Sequence, residues 1–271
     1  MYIYGDVEEE KAVDALQQWF EDNKKLPKKI DRTMLWRLYQ RASKDIEKTK
    51  KLIEVNYTLR LKNPQIFANR DPTDNDTNNT HEIAHIIPLR ELTPSNAHVT
   101  VLHFYNPEPQ LVHFTEDIKT FTMVNDCRFC LPDVIVEDEK AKISDGAMLV
   151  IDMEGVSLKF IMRFTFFTMN TLFKYLYLAY PDAMKAVHLI NCPPFINKIL
   201  ALVKPFMSKE LFAMITCHID GLDSLYEHIP RDMLPNEYGG KAGKLADLAE
   251  ENKKLLLEKR DFLTDMSYWK L

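Results

Sequence analysis

The sequence predicts an α/β protein preceded by a small helical module. Three observations carry that expectation. Between Val99 and Ile219, short apolar runs alternate with helical patterns, the arrangement of a sheet built from strand–helix units. Ala147–Asp152 (AMLVID) is a continuous apolar run, as in strands buried on both faces. Residues 8 to 62, by contrast, read as helix throughout.

Taken in order, Glu8–Asn23 carries Val13, Leu16, Trp19 and Phe20 at helical spacing and stops before Pro27. Asp31 is placed to cap a helix bearing Met34, Leu35, Leu38 and Tyr39. A third helix starts around Ser43–Glu47 and runs through Leu52, Ile53, Val55 and Leu59. Asn69–Thr80 (NRDPTDNDTNNT) is polar and rich in turn formers, which predicts an exposed loop joining two modules. Val99–Phe104 alternates like a strand and Phe114–Cys130 is helical. After the AMLVID strand, a long helix is expected over Leu158–Tyr180, a strand over Ala186–Asn191 and another near Met214–Ile219. Lys244–Arg260 reads as a charged amphipathic helix. Between the last two strands, the helix that follows Pro193 and Pro194 is apolar over most of its circumference. Only Asn197, Ala201, Lys204 and Ser208 form a narrow polar or small stripe, with Lys198 beside it.

Totals exclude several functions. The chain has 271 residues, 46% of them hydrophobic, and a net charge of -5, so no general basic field recruits nucleic acid. None of its seven glycines lies in a phosphate-cradling or dinucleotide pattern. MYIYGDVEEE lacks the features of a secretory signal, and four cysteines then suggest free thiols in a reducing, cytoplasmic setting. Arg163, Asn170 and Lys174 interrupt Phe160–Tyr180, which is therefore expected to be an amphipathic helix rather than a membrane span.

Catalytic patterns are weak. His81-Glu82-Ile83-Ala84-His85 has the spacing of a zinc protease helix, but Pro88 cuts the segment short and no third ligand follows. Cys127-Arg-Phe-Cys130 is a lone pair placed late in a helix, the wrong end for a redox motif. No serine has a nucleophile-elbow context, and the remaining histidines are scattered. Asp152 and Glu154 follow a buried strand, where a carboxylate commonly caps the next turn. The expectation is no enzyme, no metal and no cofactor. The apolar content is more informative. Phe164, Phe167, Thr168, Leu172, Tyr175 and Leu176 fall along one predicted helix, and a second oily helix follows. A large core and a lined apolar cavity both account for that pattern.

Four segments narrow the choice: Tyr180–Ile190, Lys204-Pro205-Phe206-Met207, Val150-Ile-Asp152-Met-Glu-Gly155 and Met233-Leu-Pro235-Asn-Glu-Tyr-Gly239-Gly240. Together they resemble the CRAL-TRIO lipid-binding family, in its branch of tocopherol transfer and retinaldehyde-binding proteins and their insect-type members. The resemblance covers roughly residues 10 to 245. It implies a mixed sheet flooring a hydrophobic pocket, flanking helices, a mobile lid and a three-helix module in front. Boundaries follow at 1–90 for the module and linker, 91–245 for the lipid-binding domain and 246–271 for a helical tail. By matching positions, Thr122, Asp126, Ile151, Leu172, Tyr175, Leu176, Val187 and Leu189 would face ligand, beside Phe164, Phe167 and Thr168. The lid would present Ile196, Ile199, Leu200, Val203 and Met207. Arg60 and Lys185, with Lys198 and Lys204, would be the residues left to meet headgroups. Most of the family's basic cluster is replaced here, by Ala183, Glu210, Phe212 and Met214 among others, which argues against phosphoinositide-triggered release. Asp126 would accept a hydrogen bond from a ligand hydroxyl. The implied function is binding a hydrophobic small molecule and moving it between membranes by transient contact, without nucleic acid. A lipid sensor acting through a protein partner is the alternative, and a zinc hydrolase a distant one.

Overall fold

The computed structural model describes residues 2–136 and 140–270. Helices α1 (Val7–Asp22), α2 (Arg32–Arg41) and α3 (Ile46–Lys62) form the N-terminal bundle. Asp6, Asp31 and Asp45 each cap one of them through a side-chain oxygen on first-turn amides. Their shared core includes Phe20, Leu35, Leu38, Ile53 and Tyr57, with the Phe20 and Tyr57 rings edge-on at 5.2 Å. A single turn, α4 (Pro64–Phe67), then leads to α5 (Asn75–Ile83).

The second layer is a five-stranded sheet. Its strands are β1 (His85–Leu92) and β2 (Ala97–His103), followed after α6 (Phe114–Phe129) and a two-residue ribbon, β3 (Val134–Ile135) with β4 (Ala141–Lys142), by β5 (Gly146–Asp152). Next come α7 (Leu158–Ile161), α8 (Phe166–Lys174), a π turn over Tyr175–Ala179, and β6 (Met184–Ile190). The chain continues through α9 (Ile196–Val203) and α10 (Lys209–Ala213) to β7 (Ile215–Cys217). The spatial order is β1-β2-β5-β6-β7, with β1 antiparallel to β2 and the other neighbours parallel. After α11 (Asp223–Tyr226), the C-terminal segment forms α12 (Leu245–Glu258) and α13 (Arg260–Thr264).

Strand alternation divides the sheet between two environments. Ile87, Leu89, Val99, Val101, Val150 and Ile190 point to one face and pack beneath Leu225, Ile229, Leu234, Leu245 and Leu248 in a closed core. Ile86, Leu102, Leu149, Ile151, Val187 and Leu189 point to the other, toward α6, α8 and α9. The AMLVID run is thus apolar on both sides because both sides are covered.

Four expectations are corrected. Half of the polar NRDPTDNDTNNT stretch is helix α5, docked through the buried side chains of Thr77, Thr80 and Ile83. Strand β1 was missing from the prediction, because Pro88 argued against regular structure there. Pro88 is tolerated because β1 is an edge strand, where an amide is not needed on the open side. The long helix expected over Leu158–Tyr180 is broken. Ser157 caps one turn, the Arg163 and Phe164 amides close three-residue turns onto Phe160 and Ile161, and Thr165 is extended before α8 begins. The oily helix after Pro194 is also shorter than its apolar run, since Lys204–Phe206 tightens into a 3-10 turn around Pro205.

Buried ion pairs fasten the bundle to the sheet domain. Arg37 of α2 meets Asp133 at 2.8 Å and Asp182 at 3.3 Å, while Arg128 of α6 binds the same two carboxylates. A second network joins Arg60 of α3 and Arg70 to Asp126 of α6.

An apolar cavity as candidate functional site

Between the sheet face of Leu149, Ile151, Val187 and Leu189 and the helices above it lies a cavity of about 210 Å³. β5 and β6 supply most of its floor, with Leu102 of β2 beside them, α6 one wall, the α7–α8 break another and α9 the roof. The break has a visible use here. It turns Phe160, Ile161 and Phe164 inward, and the Phe164 ring stacks on Phe114 at 4.0 Å with the planes 7° apart. Every lining side chain is apolar except those of Thr80 and Asp117. Such a wall offers dispersion and area burial over nearly its whole surface.

Of the positions expected to face ligand, Ile151, Phe164, Leu172, Leu176, Val187 and Leu189 lie on the wall, with Ile199, Leu200, Val203 and Met207 from the roof. Six do not. Asp126 is fully buried on the bundle side of α6, where Arg60 grips its two oxygens at 2.7 Å each and Arg70 holds one of them. Burial pushes this carboxyl's pKa up, but the two guanidinium groups outweigh that and hold it below the usual carboxylate range. Tyr175 belongs to the same network, its hydroxyl accepting from Arg60 at 3.0 Å and its ring packing on Phe67. Thr122 turns back onto its own helix, donating to the Lys119 carbonyl at 2.8 Å. Thr168 is buried against Thr115, their hydroxyls 2.8 Å apart. Phe167 is displaced outward by the helix break and is 51% exposed. Ile196 is buried at the root of α9, in the core rather than on the cavity wall.

The headgroup candidates divide likewise. Arg60 is buried and committed to Asp126, so it cannot reach a membrane surface. Lys185 spends its ammonium on the Ser95 carbonyl at 3.0 Å. Lys198 and Lys204 are exposed on the outer side of the roof, Lys204 lying over the Phe212 ring at 5.0 Å.

Asp117 was absent from the expected set. It lies in the first turn of α6, and its Oδ1 accepts from the Thr80 hydroxyl at 2.8 Å. Burial pushes its pKa up to about 6, with the Thr80 hydrogen bond and nearby His113 pulling the other way. Its hydrophobic neighbours Phe114, Ile118 and Phe121 were also missed, because α6 is apolar on too many sides to reveal its inner face.

Outside the cavity, an apolar surface flanks the roof. Met162 and Phe166 are 75% and 74% exposed, and Leu202 of α9 is 48% exposed. The Phe166 ring meets Phe206 edge-on at 4.7 Å, closing the seam between roof and wall. The weak catalytic patterns fall elsewhere. α5 ends at Ile83 and His85 opens β1, so His81 and His85 do not share a helix face, and His85 stacks on Tyr105. Cys127 is buried and Cys130 ends α6, both as free thiols whose pKa burial raises. Asp152 points away from the cavity, accepting from Tyr238, Asn191 and the Glu154 amide. His188, His218 and His228 meet on that same outer face, with Nδ1 of His188 3.0 Å from Nε2 of His218.

Among the described residues, no helix is long and apolar enough to cross a membrane. Comparison with known proteins adds a lineage to this geometry. Residues 89–240 match the family model described as CRAL/TRIO domain, and residues 6–77 the one described as Pinta-like, UBA domain. Alpha-tocopherol transfer protein-like of Mus musculus is 27% identical over 237 residues, 87% of this chain and 66% of its own length. Its Homo sapiens counterpart is 26% identical over 236 residues with the same shares. This chain thus spans slightly less than two thirds of those relatives, 66% of their length. Clavesin-1 of Xenopus laevis is 31% identical over 108 residues, 40% of this chain and 32% of its own. The solved structure described as that of Sfh5 shares the fold, with a TM-score of 0.53 and 16% identity over 96% of this chain and 99% of its own.

Proposed function

Because the chain belongs to the CRAL/TRIO domain family, we propose that it binds one hydrophobic small molecule in the cavity and carries it between membranes. The observation that carries this reading is a cavity wall apolar at all but two residues and roofed by a short helix whose outer side is itself partly apolar. Tocopherol-like, retinoid-like and other isoprenoid or lipid molecules fit that chemistry. The protein acts without catalysis, as a cytoplasmic carrier that touches membranes peripherally.

The physical account follows from area. Removing apolar surface from water contributes about 25 cal/mol per Å², so roughly 300 Å² of ligand contributes about 7 kcal/mol before the cost of ordering the roof. Exit requires α9 to swing away from Leu176 and Leu189, exposing Ile199, Leu200 and Val203. Water disfavours that open state, whereas a membrane interface accepts it. Met162, Phe166 and Leu202 already present apolar surface beside the moving element, with Lys198 and Lys204 near enough to add a weak attraction to anionic headgroups. A phosphoinositide trigger is no part of the proposal, because Arg60 is locked inside and the remaining basic residues are sparse.

Transfer of a fluorescent tocopherol analogue from donor to acceptor vesicles tests the reading. A carrier accelerates transfer in proportion to protein concentration. Tight binding without acceleration would instead identify a lipid sensor.

A further inference from the structure

Two cysteines sit where the roof segment leaves the sheet and where it rejoins it. Cys192 follows β6, immediately before Pro193 and Pro194, and Cys217 ends the three-residue β7, so the pair brackets the crossover that carries α9 and α10. The fold gathers them at one backbone position. Parallel pairing sets Cys217 directly opposite Leu189. Asn191, left-handed at φ 50° and tied to Asp152 at 2.9 Å, turns the chain back, so that the Cys192 thiol donates to the Leu189 carbonyl at 3.4 Å. The His218 amide donates to the same carbonyl at 2.8 Å. Both cysteines are half-buried free thiols packed against the edge of the core. Burial pushes the pKa of both up, Cys192 to about 12, and each thiol also feels the other.

We propose that Cys192 and Cys217 are an oxidation site, joined by a disulfide that clamps the base of the roof and slows exchange of the cargo. The effect on exchange rests on the reading that α9 is the gate of a carrier. Pro193 and Pro194 each have a fixed φ, which leaves the torsions of Cys192 as the freest joint between β6 and α9. Cys217 is a fixed post, because β7 is held in the ladder by Val187–Leu189. Bonding the one to the other restrains the end from which α9 swings. The oxidant is a low-molecular-weight disulfide, oxidised glutathione. One cysteine thiolate attacks its S–S bond, forming a mixed disulfide and releasing the first glutathione. The second cysteine attacks the protein sulfur of that mixed disulfide, forming the bridge and releasing the second. Two protein thiols are oxidised, one glutathione disulfide is reduced, and the two thiol protons end on the two glutathiones. Against the rise from burial, the Cys192 thiol lowers the pKa of Cys217, which makes Cys217 the first to attack. Burial keeps both thiols protonated near neutral pH, so the bridge forms slowly there.

Incubation with oxidised glutathione at mildly alkaline pH, followed by blocking of free thiols and peptide mapping by mass, tests the assignment. The expected product is a Cys192–Cys217 disulfide that retains no glutathione. Cys192→Ser should instead hold glutathione at Cys217, since no second thiol is there to displace it. Glutathione retained on both cysteines of the wild-type protein, or both thiols left free, overturns the site. Transfer of the fluorescent tocopherol analogue between vesicles then reads the clamp. The bridged protein is expected to transfer about tenfold or more slowly than the reduced one, within the scale of restraint a disulfide imposes, and dithiothreitol should restore the rate. A double variant, Cys192→Ser with Cys217→Ser, should transfer at one rate with and without oxidised glutathione, with thermal melting confirming that it is folded. A bridge that leaves the rate unchanged overturns the clamp while the carrier reading stands. A reduced protein that transfers nothing sinks the carrier reading, and the clamp with it.

Discussion

Asp126→Asn separates scaffold from binding site. The substitution keeps the shape of the side chain but removes the charge that neutralises Arg60 and Arg70. Both guanidinium groups would then be buried together, Arg60 beside Tyr175 and Phe67 and Arg70 under the Trp269 ring at 3.9 Å. Three charge-assisted contacts are weakened, two of them at 2.7 Å. Removing one partner from a buried ion pair costs roughly 3–5 kcal/mol, which for a domain of this size lowers Tm by on the order of 10 °C. The sign of its pH dependence is fixed by the depressed pKa: stability from this site is present at neutral pH and is lost as pH falls through the folded-state value. Urea denaturation followed by tryptophan fluorescence measures the loss, and calorimetry below the transition measures affinity for the tocopherol analogue. The expected outcome is a large loss of stability with that affinity unchanged. A loss under about 1 kcal/mol, well below the range for a broken buried pair, would refute the scaffold role. So would lost analogue binding at unchanged stability, which would return Asp126 to the ligand.

Three further outcomes are expected. Asp117 has the opposite pH sign from Asp126: burial lifts its folded-state pKa to about 6, above the usual 3.8 of an aspartate, so its contribution to stability falls as pH rises between them. Asp117→Asn should remove that decline, worth up to about 3 kcal/mol by the linkage of pKa to stability, and denaturation midpoints measured across the interval check it. Val203→Asp places a charge on the cavity side of the roof and should weaken ligand retention by about tenfold or more while leaving the circular dichroism of the sheet domain unchanged. Replacing Met162 and Phe166 together by serine should reduce sedimentation with neutral vesicles without altering ligand affinity, because both side chains are about three-quarters exposed and neither lines the cavity.

Much of the fold was readable because strand burial writes itself as composition. AMLVID had to be apolar at every position once both sheet faces were covered, and the bundle helices announced themselves through Asp31 and their apolar spacing. Local pattern failed where tertiary packing decided the outcome. Asn75–Ile83 has almost no apolar character, yet it is helical because Thr77 and Thr80 fit against α6. No proline or glycine marks the break near Arg163, so periodicity carried the predicted helix straight through it. The two acids of α6 are instructive. Asp117 and Asp126 stand nine positions apart, and at 3.6 residues per turn that places them on opposite sides of the helix. The spacing keeps the two from sharing one side of α6, and Asp126 is turned to the bundle by Arg60 and Arg70, contributed by distant segments.

The contents of the cavity test the account most directly. Protein purified from its own source can be extracted with organic solvent and the extract weighed by mass spectrometry against the amount of protein. The expected result is a hydrophobic compound near one per chain, and its loss from Val203→Asp. An extract without a stoichiometric lipophilic compound, or with equal amounts from both proteins, would contradict it.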